Sequence, residues 1–361
     1  MLGVRYSLFD IKHLFFTMDS LTHICLGACI GEIALGKRLG KKALIWGAVA
    51  QSLPDIDIAA GLFVSPDRDL LFHRGITHSL IFAIIVGLLT VLLARRMHRT
   101  TILPAGLLIA FFVSQIALHD LLDTCNSYGT GLLEPFNHTR FSINLLYVAD
   151  PLFTIGLFVA TIFLIFKHAS NLNRKKWAIG AIFLSVLYLC FSVVSKTIID
   201  NRVNANFEAT GLKSEKYFTT PTPLNNMLWY IVAEADTEYY TSYSSVWDDG
   251  KLPLNFTGHK KNYSLLNNTI DHNIQNNLKT FADGYYTIEA FNGTAYLNVL
   301  RFGQVQGWQN NNAPFAFSYP LVNTRDQYLL LQKGRLAGWN ANSVKEYIKR
   351  IAGHKPIKTP H

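Results

Sequence analysis

His73 and His78 bracket Arg74-Gly75-Ile76-Thr77 at the mouth of a long apolar run, where ionisable side chains are expensive to place. A charged group at bilayer depth costs about 2.5–3.5 kcal/mol on insertion scales, so its presence there points to function. Asp19 and His23 form a second pair, four residues apart at the start of another apolar run. Asp55 and Asp57 form a third, on either side of Ile56 just after Pro54, and His119 and Asp123 a fourth, again four apart. A spacing of four places two side chains on one face of a helix. Asp120 falls off that face and reads as an ordinary residue, while His98 belongs to a basic turn far from the rest. Imidazole and carboxylate with no thiolate positioned to join them suit a divalent transition metal, zinc first, with manganese or iron(II) as alternatives. Eight candidates exceed what one tetrahedral ion needs, which implies either two ions or a subset that orients the true ligands.

Six apolar runs have to position these groups: Leu21 to Leu35, Ala43 to Leu53, Ile76 to Ala94, Thr101 to Leu118, Leu152 to Phe166 and Trp177 to Ser195. Several approach the roughly 17–20 residues that cross a bilayer, and they lack the polar face of a soluble helix. Lys37, Arg38, Lys41 and Lys42, then Arg95, Arg96 and Arg99, then Lys167, Arg174, Lys175 and Lys176 follow the first, third and fifth runs. The alternating loops hold only Arg68, Arg74 and Arg140. The positive-inside rule then makes the basic loops cytoplasmic and brings all eight candidates to the outer ends of the helices. Asp19 and Ser20 are suitable caps for the first helix, and Pro54 breaks the second, so Asp55 and Asp57 are expected on an irregular segment.

The expected fold is an α-helical membrane bundle of about six transmembrane helices, residues 18–200, followed by a soluble, mixed and mostly β domain, residues 201–361, on the non-cytoplasmic side. Residues 1–17 form an N-terminal extension without the apolar stretch of a cleaved signal peptide, and Met18 is an alternative start. The net charge of +9 is largely accounted for by the cytoplasmic loops, so nucleic acid is not an expected partner. Cys25, Cys29, Cys125 and Cys190 form no C-x-x-C pair, which argues against a disulfide framework or zinc ribbon. In the C-terminal part, Tyr285 to Phe291 and Thr294 to Leu300 flank Asn292-Gly293 as a β-hairpin, and Trp229 to Trp247 suggests further strands. Ser343 to Ala352 reads as a helix with Ser343 as cap and Glu346 completing a capping box. His259 and His272 are scattered and form no ligand set.

A two-metal site activates water and clamps the oxygens of an in-line displacement at phosphorus. Arg74 and the N-terminus of the adjacent helix would supply the positive surroundings a phosphate prefers, so Arg74 and Asp19 are the candidates for a catalytic role. Ser127 to Gly131 is a glycine-bearing loop able to line a pocket, and His138 and Arg140 in the same region are candidates for substrate contact. The segments Met18 to His23, Leu53 to Asp57, His73 to Ser79, Leu118 to Thr124 and Ser127 to Thr130, with Pro135-Phe136 and Asp150-Pro151, resemble the YdjM-like family of bacterial inner-membrane proteins predicted to be metal-dependent hydrolases. The similarity covers residues 18 to about 200, and Pro221 to Trp229 resembles the start of the soluble tail of longer members. It implies a membrane-bound, phospholipase-like hydrolase that meets membrane lipids and a phosphoester substrate at the outer face of the inner membrane. The alternative from another class is a non-enzymatic membrane protein that uses a metal ion structurally or passes it across the bilayer. Glu32 is the one obvious ionisable group within the inner half of a helix that such transport would use.

Overall fold

The structure is a computed structural model that describes residues 8–60, 66–101, 103–211, 214, 216–250, 252–266, 272–321, 331–332 and 339–353. The chain divides into two compact units, residues 1–143 with 148–190, and residues 144–147 with 191–361. Each of the six apolar runs contributes a helix. The first lies in α1 (Leu8–Leu39) and the second in α2 (Lys42–Ser52). Short helices α3 (Asp57–Ala60) and α4 (Pro66–Phe72) precede α5 (Leu80–Met97) and α6 (Ala105–Asp123), and α7 (Pro151–Phe166) and α8 (Arg174–Thr210) complete the series.

Among the described residues, α5, α6 and α8 are the three helices long and apolar enough to cross a membrane. The 16 residues of α7 rise about 24 Å and the 11 of α2 about 16 Å, so α2 falls well short of a bilayer's hydrocarbon thickness. Helix α1 starts well before Asp19 and Ser20, which therefore lie inside it rather than capping it.

Apolar burial does little to associate helices in lipid, since lipid tails are as apolar as leucine; close packing and polar ties do the work. In α1 and α2, Gly27, Gly31 and Gly47 meet face to face. A Cβ at Gly27 would overlap the Gly47 carbonyl, and one at Gly31 the Ala43 carbonyl. Leu35, Ala43, Trp46, Ala50, Val91, Leu108, Phe111 and Phe112 fill the space between α1, α2, α5 and α6. Thr22 meets Thr154 at 2.6 Å, tying α1 to α7, and buried Arg174 pairs with Glu32 at 2.6 Å. Asp150 caps α7, accepting from the N–H groups of Leu152 and Phe153, with Pro151 at the first helical position, where its missing N–H is not needed.

Among its described residues, the second unit carries two four-stranded antiparallel sheets, each in sequential order. β1 (Lys216–Pro221), β2 (Leu228–Glu234), β3 (Glu238–Ser245) and β4 (Thr257–Lys260) form one; β5 (Tyr286–Phe291), β6 (Thr294–Gln304), β7 (Phe315–Pro320) and β8 (Leu331–Gln332) form the other. The strand period of two divides β2: Tyr230 and Val232 join Tyr239, Tyr285, Leu300 and Phe315, while Trp229 and Ile231 pack with Ile199 and Val203 of α8. The Asn292-Gly293 hairpin is as the sequence suggests, both residues having positive φ (49° and 78°). The unit's described residues also form two helices, α9 (His272–Phe281) and α10 (Ala341–Ile351). The last starts two residues earlier than expected: Asn340 is its cap and Ser343 the reciprocal partner, while Glu346 instead pairs with Lys349.

Candidate metal centre

Four segments of the first unit bring the charged residues together. α1 supplies His23, the turn after α2 supplies Asp55 and Asp57, the loop between α4 and α5 supplies His73 and His78, and the last turn of α6 supplies His119 and Asp123. One ligand atom from each of His23, His119 and Asp123 lies within 4.8 Å of the others, and Asp55, His73 and His78 form a second such group. The two groups adjoin, since His78 Nε2 lies 3.3 Å from His119 Nε2, 3.4 Å from Asp123 Oδ2 and 3.5 Å from Asp55 Oδ1.

Hydrogen-bond partners fix the tautomers. A backbone carbonyl only accepts, so the 2.6 Å contact of His119 Nδ1 with the Gln51 carbonyl puts a proton on Nδ1. The Gln51 side chain donates from Nε2 to Gln115 at 2.8 Å, leaving its Oε1 to accept from His23 Nδ1 at 3.3 Å. Thr77 donates its hydroxyl proton to Asp57 at 2.7 Å, so its oxygen can accept from His78 Nδ1 at 3.1 Å. In the neutral form each of these three imidazoles therefore turns a bare Nε2 toward the others and toward carboxylate oxygens, with His23 Nε2 3.3 Å from Asp123 Oδ1. Acceptors facing acceptors repel unless a proton or a cation lies among them. Orienting groups on Nδ1 with Nε2 directed inward is the usual arrangement of histidines that ligate a metal, and the mixed nitrogen and carboxylate set fits zinc, manganese or iron(II).

Asp57 plays a different part from Asp55. Its carboxylate accepts from His73 Nδ1 at 2.9 Å, from the Arg74 N–H at 3.1 Å and from Thr77, so it is committed to holding the loop. Burial would raise the pKa of both aspartates, yet His119 and His78 beside Asp55, and His73 and His78 beside Asp57, hold both well below the usual carboxylate range. Burial likewise opposes a charge on His78, but Asp55 and Asp57 outweigh it and lift His78 to about 10. A cation entering the cluster would displace that proton.

Arg74 is buried, and its guanidinium faces Asp123 and Asn126: Nε lies 3.1 Å from Asp123 Oδ2, Nη1 donates to Asn126 Oδ1 at 2.6 Å, and the Tyr128 ring lies beneath. Its backbone sits at φ 65°, a left-handed conformation that side chains other than glycine rarely adopt. That conformation is held by the bond from its N–H to Asp57 and by the Gly131 N–H, which donates to its carbonyl at 2.9 Å. Arg140 also works on this loop, donating to the carbonyls of Leu71 and of His73, the latter at 3.2 Å. The N-terminus of α5 is closed by Ser79, which accepts from Phe82, and by the Leu132 carbonyl, which accepts from Leu80. The two positive features expected to greet a phosphate are thus engaged within the protein.

Of the residues singled out by sequence, His23, Asp55, His73, His78, His119 and Asp123 gather in the two groups, with Asp57 and Arg74 bracing them. The side chain of Asp19 lies outside the described residues. His138 is exposed and pairs with Glu134 at 2.8 Å, and His98 accepts from Trp46 at the far end of the bundle. Gln51, Gln115, Thr77 and Asn126 went unrecognised; the two glutamines had a signal, being polar amides inside apolar runs. Asp120, read as ordinary, is fully buried beside the cluster, and neither of its carboxylate oxygens has a hydrogen-bond partner among the described residues.

The family profile described as YdjM inner membrane protein matches residues 18–199. The chain belongs to that family. The match covers the whole helical region that carries the cluster, and the apolar helices agree with the inner-membrane location that the family's description states. Inner membrane protein YbcI of Escherichia coli (strain K12) is 35% identical over 123 residues, which cover 34% of this chain and 69% of that protein. No solved structure matches the chain.

Proposed function

We propose that this inner-membrane protein is a metal-dependent hydrolase of phosphoesters, with a phospholipid as the favoured substrate, working at the periplasmic face. The observation that carries the reading is the convergence of three Nε2 atoms, each imidazole locked through Nδ1, on the carboxylates of Asp55 and Asp123. Bound divalent ions, zinc first and one or two in number, would supply a water acidified toward neutral pH and positive charge for the displaced oxygen. His23, His119 and Asp123 would hold one ion, and Asp55, His73 and His78 the other. Arg74 keeps Asp123 in place, and Asp57 fixes the rings of His73 and His78.

Access favours a lipid. Asp55 and His73 side chains are 16% and 19% exposed, whereas those of His23, His78, His119 and Asp123 are at most 2% exposed. The open side is bordered by Ile56, Phe72 and Ile76, which expose 61%, 39% and 51% of their surface on the same segments that carry the ligands. An apolar rim around a polar mouth suits a substrate whose phosphate sits at the headgroup level of a bilayer. The basic turns lie at the opposite helix ends, which supports a periplasmic cluster and C-terminal unit by the positive-inside rule. The same reading takes α1 and α7 as spans beside α5, α6 and α8, with α2 as a short sixth held against α1. Metal transport is less well supported, because Glu32 is engaged by Arg174 instead of lining a path.

The test is metal content and activity on one detergent-purified sample, using phospholipid vesicles and a generic phosphodiester, for the wild type and for His23→Ala and His119→Ala. Metal and hydrolysis should be present in the wild type and lost together in both variants. Undiminished hydrolysis in variants stripped of metal would refute the reading, and metal uptake into proteoliposomes without hydrolysis would favour transport.

A further inference from the structure

Asp120 is, among the described residues, the one carboxyl group whose two oxygens are both buried and both without a hydrogen-bond partner. An ionised carboxylate in such a place is unstable unless a proton or a cation accompanies it. It sits next to His119 and one turn below Asp123 on α6, and the charges acting on it are those of His78, Asp123, His23 and Asp55. Asp120 is thus buried on the helix that carries His119 and Asp123, within electrostatic reach of both ligand groups. None of the hydrogen bonds that brace Asp55, Asp57 and Asp123 reaches it, so bracing a loop or a ring does not explain its presence.

We propose that Asp120 is the fourth carboxylate of a two-cation centre, supplying the counter-charge that lets both ligand groups be filled at once. This assignment rests on the metal reading above. Asp55, Asp57, Asp123 and Asp120 carry four negative charges, and Arg74 one positive. Two divalent ions bring the balance to a single positive charge, which one anion, a hydroxide or a phosphate oxygen, closes. Without Asp120 the same two ions leave an extra uncompensated positive charge in a site whose inner ligands are buried. The first ion needs no such help, because Asp55, Asp57 and Asp123 already outnumber Arg74.

The experiment is a Mn²⁺ titration of the purified full-length protein, followed by metal analysis and by electron paramagnetic resonance, in which two neighbouring ions give a coupled signal distinct from that of a lone ion. The wild type should bind two ions with the coupled signal. Asp120→Asn, nearly identical in shape, should keep one ion, lose the coupled signal and bind a second at least tenfold more weakly, while Asp120→Glu restores the pair. A coupled pair at wild-type affinity in Asp120→Asn overturns the assignment. A wild type that binds a single ion also overturns it and leaves the metal site standing, whereas a wild type that binds none overturns the metal reading itself. Should Asp120→Asn not fold, Asp120→Ser, which removes the charge and leaves room for a water, carries the same test, and a single ion in the wild type overturns the assignment in either case.

Discussion

Replacing Arg74 with lysine separates two roles that the sequence alone could not. The guanidinium reaches Asp123 Oδ2 from Nε at 3.1 Å and Asn126 Oδ1 from Nη1 at 2.6 Å, two directions that one ammonium cannot serve together. Arg74→Lys keeps the charge and loses either the ion pair with Asp123 or the bond to Asn126, a charge-assisted contact worth about 1.5–3 kcal/mol. If the ion pair holds Asp123 in its ligating position, the loss passes to metal binding, and about 1.4 kcal/mol per factor of ten makes it roughly a 10–100-fold weaker affinity. Competition against a fluorescent zinc chelator in detergent measures this directly, without a substrate. KM for a phosphodiester should stay close to wild type once the site is saturated with metal. Unchanged metal affinity with a KM raised tenfold or more would refute the reasoning and return Arg74 to direct contact with the substrate phosphate.

Gly27→Ala places a methyl group against the Gly47 carbonyl, so α1 and α2 must separate; a loss of about 1–3 kcal/mol should appear as a lower Tm in detergent, while Gly180→Ala, with nothing within 4 Å, should change stability by no more than about 0.5 kcal/mol. Because His78 is lifted to about 10 in the metal-free cluster, binding of the ion it ligates displaces its proton, and apparent affinity for that ion should rise about tenfold per pH unit between about pH 6 and 8; an affinity independent of pH contradicts that sign. Asp283, whose side chain is 67% exposed, can be changed to cysteine in a Cys190→Ser background; a membrane-impermeant maleimide should label it in cells whose outer membrane alone has been opened, and protection from labelling would reverse the proposed topology.

Much of the site was legible because its residue types are out of place: a histidine or aspartate beside an apolar run has few reasons to be there. The spacing of His119 and Asp123 gave their shared face outright, and the Lys and Arg pattern grouped segments more than a hundred residues apart. What stayed hidden depends on three-dimensional partners. Gln51 acts through its carbonyl on His119 and through its amide on His23, and neither action leaves a local pattern. Arg74 carried a positive charge in the sequence, but only the fold shows Asp123 and Asn126 drawing it inward. The burial of Asp120 went unread because helical phase relative to His119 says nothing about what packs on its own side. In the C-terminal unit the Asn292-Gly293 turn was readable from its backbone demand alone, whereas the cap of the last helix was set by Asn340, outside the window that Ser343 and Glu346 suggested.

The uneven exposure of the cluster carries a consequence for the order of events. Asp55 and His73 touch solvent, while His23, His119 and Asp123 lie behind them. An ion destined for the inner group would enter and leave past the outer one, so the two positions would fill and empty in sequence. A chelator should then strip the centre in two kinetic phases, fast for the outer ion and slow for the inner, giving the protein a long memory of its first metal.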